Sequence, residues 1–252
     1  MHALAYACLT FACVAFAPLA HAETALVAVA ANFAGAAEAI SARFTKDTGH
    51  TLDLTTGATG KLYAQIAEGA PFAVLLSADA KTPAKIEKEG LGVAGSRFTY
   101  AVGGLSLFST DPARIGSDPR AALTDAGTLF IAIANPDLAP YGVAAREALT
   151  AMGLWDQVQP RIVMGENIGQ TYAMVDSGAA QVGFVATSAV QAPGVAATGS
   201  RFDIPQEMYA PIMQDAVLLK AGADNAAAVA FMDFLKTDVA RGIITSYGYR
   251  IE

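Results

Sequence analysis

The chain has 252 residues, 54% hydrophobic and 15% charged, enough apolar mass for one large domain or two modest ones. Its formal charge of −7 argues against nucleic acid as a partner, because a phosphate backbone requires clustered Lys and Arg. Any anion must be held by local chemistry, against the sign of the whole molecule. Residues 1–22 read as an export signal: the stretch to Pro18 is nearly all apolar, and Ala20-His21-Ala22 is an A-x-A cleavage site before Glu23. Cleavage would remove Cys8, Cys13, His2 and His21 and leave His50 as the one histidine. The mature chain is then expected to lack disulfides, thiolate or multi-histidine metal sites and a Cys nucleophile. No later stretch is long and apolar enough to span a bilayer, so a soluble exported product is expected.

Residues 25–31 form a short apolar run that reads as a strand. Asn32 follows in an N-cap position, and Phe33, Ala36, Ala37, Ile40 and Phe44 make a helical stripe closed by Gly49. This aims a helix N-terminus out of a strand end, where free N–H groups and the positive end of the helix dipole favour an anion. His50 follows in a surface loop. The unit then recurs. Residues 52–56 alternate as a strand, Gly57-Ala-Thr-Gly60 is a turn with the Thr59 hydroxyl at its tip, and 61–68 is helical. Residues 72–76 are a buried strand, followed by Ser77-Ala-Asp79 and a helix with Thr82 as N-cap and Pro83 in its first position. Lys81, Lys85 and Lys88 read as a solvated face. Strands alternating with helices imply parallel sheets covered on both faces.

Residues 98–108 are too long for one strand and are interrupted by Gly103-Gly104, which marks a connection into a second domain. A short helix is expected near 120–123. A strand at 130–134 leads through the turn 135–142 into a helix at 143–152, and a strand at 161–164 leads through Asn167-Ile168-Gly169 into a helix at 170–176. Another strand covers 182–187, and 192–206 reads as loop. Residues 208–213 cross back to a strand at 216–219. Helices follow at 223–236, with Val229, Phe231, Met232 and Leu235 mostly inward, and at 238–247. The pattern predicts two doubly wound α/β domains joined by two crossover strands: 23–102 plus 209–252, and 103–208. A ligand cleft would lie between the sheet ends.

The turns contribute Asn32, Thr59, Tyr141 and the 167–169 segment. Lys61 is the only cation near a tip, and no carboxylate grouping suggests a metal, although Asp79 and Glu166 are available; no metal cation and no cofactor are expected. Neutral donors at helix starts suit a dehydrated oxyanion, since each hydrogen bond to a charged acceptor contributes about 1.5–3 kcal/mol. A single Asn or Thr at a helix start is ordinarily a cap; convergence of several is what points to a ligand. A hydrolase using Ser77 would lack a base, because His50 is remote and no G-x-S-x-G elbow occurs. A sensory module of the same fold is the other alternative, against which the export signal counts.

At these turns the chain resembles the periplasmic molybdate-binding proteins of ABC importers. The resemblance runs over nearly the whole mature chain, on AANF at 30–33, TGATGKLYAQIAEGAPF at 56–72, SAD at 77–79, GSRFTYAVG at 95–103, NPDLAPYG at 135–142, ENIGQ at 166–170, GAAQVGFVA at 178–186 and SYGYRIE at 246–252. It implies a type II periplasmic binding protein that closes on a tetrahedral oxyanion. Ligand positions of the family fall on Ala31, Asn32, Thr59, Tyr141 and Ile168. Asn32 and Thr59 would donate by side chain and backbone, Tyr141 and Ile168 by backbone N–H. Many members have Ser at the positions of Asn32 and Thr59, a Tyr at that of Ala186 and an Asp at that of Val74; this pattern resembles an Asn-containing subgroup from nitrogen-fixing bacteria. The resemblance implies a monomeric, non-enzymatic periplasmic receptor for molybdate or tungstate that serves a membrane permease, with sulfate or a phosphonate as the alternative ligand.

Overall fold

Apolar runs and glycine-closed helices build two five-stranded sheets. The computed structural model describes residues 22–195 and 198–251; residues 1–21 of the expected export signal lie outside them. In chain order the strands are β1 (Thr24–Ala30), β2 (Thr51–Gly57), β3 (Val74–Leu76), β4 (Phe98–Gly103), β5 (Leu105–Ser109), β6 (Ile131–Ala134), β7 (Ile162–Gly165), β8 (Val182–Ala186), β9 (Ser200–Asp203) and β10 (Ile212–Leu218). The first sheet has the order β2-β1-β3-β10-β4, the second β7-β6-β8-β5-β9. The architecture is the expected α/β pair of wound sheets. Residues 98–108 are the point of passage: β4 ends in the first sheet, and Gly104 alone separates it from β5 in the second.

The sheets are mixed, which corrects the parallel expectation. β1 pairs parallel with β2 and β3, but β10 runs antiparallel to β3 and β4, and β5 runs antiparallel to β8 and β9. The antiparallel strands are those that carry the chain between sheets or return it afterwards, so helix crossovers do not set their direction. β9 lies in the stretch read as loop; β10 is one continuous strand where a crossing segment and a separate strand were expected.

Alternation along β1 shows why both faces are covered. Val27 and Val29 join a core with Phe33, Ile40, Phe44 and Phe231, while Ala28 joins Leu62, Leu75, Ile86 and Val217 on the other face. In the second sheet Ile131 and Ile133 face Tyr141, Leu149 and Phe184, and Ala132 faces Phe108, Val175 and Val185. Each fully buried Phe or Ile side chain contributes about 1.5–3 kcal/mol of transfer free energy. Val229 departs from the inward expectation: it is 41% exposed on its helix, Ala226–Phe234. No helix among the described residues is long and apolar enough to cross a membrane.

Candidate functional site

Several helix starts meet where the two sheets face each other. After β1 the chain makes a 3-10 turn, Ala31–Phe33, before the helix Ala34–Thr48. The helix Thr59–Ala67 follows β2, Pro140–Ala151 follows β6, and Ile168–Asp176 follows β7. One small cavity is lined by Ala31, Asn32, Thr59, Tyr141 and Ile168, together with Ala30, Gly57, Ala58, Ala78, Ala139, Pro140 and Asn167. All five expected positions therefore come together. The cavity is tight, with about 10 Å³ open to the centre of a water-sized sphere. Its lining contains no carboxylate and no cation. First-turn N–H groups have no acceptor within their own helix, so this wall presents donors and the positive ends of dipoles.

Local sequence explains each approach. Pro140 occupies the first helical position, where a missing N–H does no harm and φ is already set. The helix therefore begins earlier than 143 and carries Tyr141 in its first turn. Asn167 caps the helix behind β7 by accepting from the Gln170 N–H at 3.0 Å, which frees the Ile168 end for the cavity. Thr59 is 2% exposed, and its Oγ1 accepts from the Ala78 N–H at 3.2 Å. That leaves its hydroxyl proton to be donated. Ala186, at the position where the resemblance expects a Tyr, is buried in β8.

Two expected caps are corrected. Asn32 does not cap its helix: it lies inside the 3-10 turn, and its Nδ2 donates to Gln214 Oε1 at 2.8 Å and to the Tyr249 hydroxyl at 3.0 Å. Thr82 lies inside the helix Lys81–Lys88, and Asp79 serves that start by accepting from the Thr82 N–H at 2.8 Å. Ser77 is fully buried, with Oγ 3.2 Å from Asp79 Oδ1, and His50 Nδ1 accepts from the Glu23 N–H at 3.1 Å far along the chain. Among the described residues no serine–histidine pair forms.

A buried polar network beneath the cavity was not read from the sequence. The Tyr249 hydroxyl donates to the Asn32 carbonyl at 2.6 Å, and Ser188 Oγ donates to the same carbonyl at 3.1 Å. Gln214 Nε2 donates to the Tyr141 hydroxyl at 3.1 Å. Burial pushes the phenols of Tyr100, Tyr141 and Tyr249 above their ordinary range, so they act as neutral hydrogen-bonding groups. Gly103 belongs to this packing. A Cβ there would lie 2.2 Å from the Tyr141 hydroxyl and 2.6 Å from Gln214 Nε2. Outside the cavity, the Gly60 N–H donates to the Leu138 carbonyl at 2.9 Å, and Lys61 forms an ion pair with Glu166. Lys61 is thus neutralised at the rim. A wider cleft of about 440 Å³ shares Thr59, Ala78, Ala139 and Pro140 with the cavity and is bordered by Asp79, Asp137, Glu147 and Lys81.

The model of a family described as bacterial extracellular solute-binding protein matches residues 25–250. The chain belongs to that family. As a member it is a solute-binding protein rather than an enzyme. It is 49% identical over 227 residues to the molybdate-binding protein ModA of Rhodobacter capsulatus, covering 90% of this chain and 88% of the relative. It is 46% identical over 226 residues to ModA of Azotobacter vinelandii, covering 90% and 89%. The solved periplasmic molybdate-binding protein of Azotobacter vinelandii superposes with a TM-score of 0.87 at 40% identity, over 90% of this chain and 99% of that one. The solute-binding family and the paired-sheet architecture thus agree with what the turn motifs implied.

Proposed function

We propose that this solute-binding protein captures molybdate, and tungstate by the same chemistry, outside the cytoplasm and delivers it to the membrane permease of an ABC importer. The observation that carries the reading is a tight, charge-free cavity ringed by helix starts. A fully deprotonated tetrahedral oxyanion accepts at every oxygen and is satisfied by donors alone. Ala31, Asn32, Tyr141 and Ile168 contribute backbone N–H groups, and Thr59 contributes its hydroxyl and its own N–H. Counter-charge comes from dispersed dipoles, which suits reversible capture by an acidic protein. The small volume favours a compact inorganic anion over an extended organic phosphate. The high identity to relatives named for molybdate supports this anion before sulfate or a phosphonate.

The rest of the reading follows from that role. The chain acts in the periplasm as a monomer after cleavage behind Ala22, without cofactor or nucleic acid. Residues 23–102 plus 209–252 form one lobe and 103–208 the other, with the anion between them. Calorimetric titration with molybdate, tungstate, sulfate and phosphate tests the proposal. Tight binding of the first two is expected; no heat or thermal shift with either would overturn it, and preference for sulfate would redirect it.

A further inference from the structure

Gln214 is fully buried in β10, where the pairing with β4 shifts register between Gln214 and Asp215. Its carboxamide reaches two residues of the cavity wall from opposite sheets. Oε1 accepts from Asn32 Nδ2 at 2.8 Å, and Nε2 donates to the Tyr141 hydroxyl at 3.1 Å. The Tyr100 hydroxyl lies 3.1 Å from the same Oε1 and 3.0 Å from the Ser77 carbonyl. In this arrangement the Asn32 NH2 is directed to Gln214 and Tyr249, and Asn32 Oδ1 is buried with no hydrogen-bond partner. A buried acceptor beside an anion cavity is unfavourable twice over: it is unsatisfied, and it repels an oxyanion.

A carboxamide has the same shape either way round. If both amides make a half-turn, the contacts persist with the donor sense reversed. Gln214 Nε2 then donates to Asn32 Oδ1 and to the Tyr100 hydroxyl, which directs its own proton to the Ser77 carbonyl. Gln214 Oε1 accepts from the Tyr141 hydroxyl. The Tyr249 proton can serve Asn32 Oδ1, while the Asn32 carbonyl keeps its bond from Ser188 Oγ. Asn32 Nδ2 takes the place of the unpaired oxygen. Without a ligand the reversed sense exchanges an unpaired oxygen for an unpaired NH2. It closes only when an oxyanion in the cavity accepts from Asn32 Nδ2, whereas the original sense would leave Asn32 Oδ1 over with or without the anion.

We infer that Gln214 is a positioning residue that sets the sense of the Asn32 amide, the two turning together so that a bound oxyanion meets an N–H. The inference deepens the oxyanion reading and rests on it. Its experiment is a molybdate titration of the wild type, Gln214→Met, Asn32→Ala and the double variant, each with a ligand-free melting curve. Gln214→Met should weaken molybdate by roughly tenfold or more. Because Gln214 acts through Asn32, the double variant should stay within about twofold of Asn32→Ala. In the wild type the Asn32 side-chain amide protons should shift and gain exchange protection on molybdate addition; in Gln214→Met they should not. Wild-type affinity in Gln214→Met, or effects that multiply in the double variant, overturns the inference. If Gln214→Met does not fold, Gln214→Glu replaces it: an acceptor-only carboxylate holds Asn32 Nδ2 away from the anion, and undiminished binding there overturns the inference too. A wild type silent to molybdate, tungstate, sulfate and phosphate removes the oxyanion reading itself, an outcome distinct from a binding wild type with an indifferent Gln214.

Discussion

Replacing Thr59 by Val separates two roles of one hydroxyl. The side chain is 2% exposed, so Val fills nearly the same space and leaves no cavity. Two bonds disappear. The first is the donation expected to the oxyanion, about 1.5–3 kcal/mol for a charged acceptor, which predicts a loss of affinity of roughly 10- to 150-fold. The second is the 3.2 Å bond by which Thr59 Oγ1 accepts from the Ala78 N–H. Its loss leaves a buried donor unpaired, at about 1–3 kcal/mol of folding stability. For a chain of this size each kcal/mol lowers the melting temperature by about 2–4 °C. Calorimetry with molybdate reads the first effect, and melting of the ligand-free variant reads the second. Thr59→Ser restores both bonds and should recover most of each. Undiminished affinity in Thr59→Val would refute the placement of this hydroxyl on the ligand, whatever happened to the melting temperature.

Gly103→Ala forces a Cβ against the Tyr141 hydroxyl and Gln214 Nε2, and overpacking should destabilise by about 1–3 kcal/mol in denaturant unfolding. Arg97→Ala strands the buried carboxylate of Asp215, which Arg97 Nη1 meets at 2.6 Å. With Thr99 Oγ1 still donating at 2.7 Å and Arg97 itself 38% exposed, a loss of roughly 2–3 kcal/mol is expected in the same assay. Tyr100, Tyr141 and Tyr249 have folded pKa values raised above the unfolded value near 10, so their contribution is complete below that pH and is lost as pH rises beyond it. Stability should fall by about 1.4 kcal/mol per pH unit for each phenol that stays protonated. Tyrosinate absorbance should show these phenols ionising only together with unfolding.

The parts legible in the sequence are those with local signals. A short apolar strand, a small polar or glycine turn and a helical stripe identify the approaches to Ala31, Thr59, Tyr141 and Ile168 within about a dozen residues each. The role of the Asn32 side chain was not legible, because its partners Gln214 and Tyr249 stand 182 and 217 residues away. A tight 3-10 turn between strand and helix moved it off the cap, and nothing in Ala30-Ala31-Asn32-Phe33 distinguishes that turn from a direct helix start. β9 escaped for a similar reason. Ser200-Arg-Phe-Asp203 is short and half-exposed, and it is a strand because β5 offers it an edge. Tertiary pairing, rather than propensity, makes that decision.

The Gly60–Leu138 bond and the Lys61–Glu166 pair join the two halves without lining the small cavity. On the proposed reading of an oxyanion held in that cavity, these bonds part when the halves separate, although neither residue pair lines the cavity. On that reading both bonds stabilise the closed arrangement, so weakening either should speed release and lower affinity together. Higher ionic strength, which screens the half-exposed Lys61–Glu166 pair, is expected to act through that same equilibrium. Changes at Thr59 or Asn32 would instead act on the contacts proposed inside the cavity. The fold thus keeps the bonds that join its halves and the proposed ligand contacts on different residues.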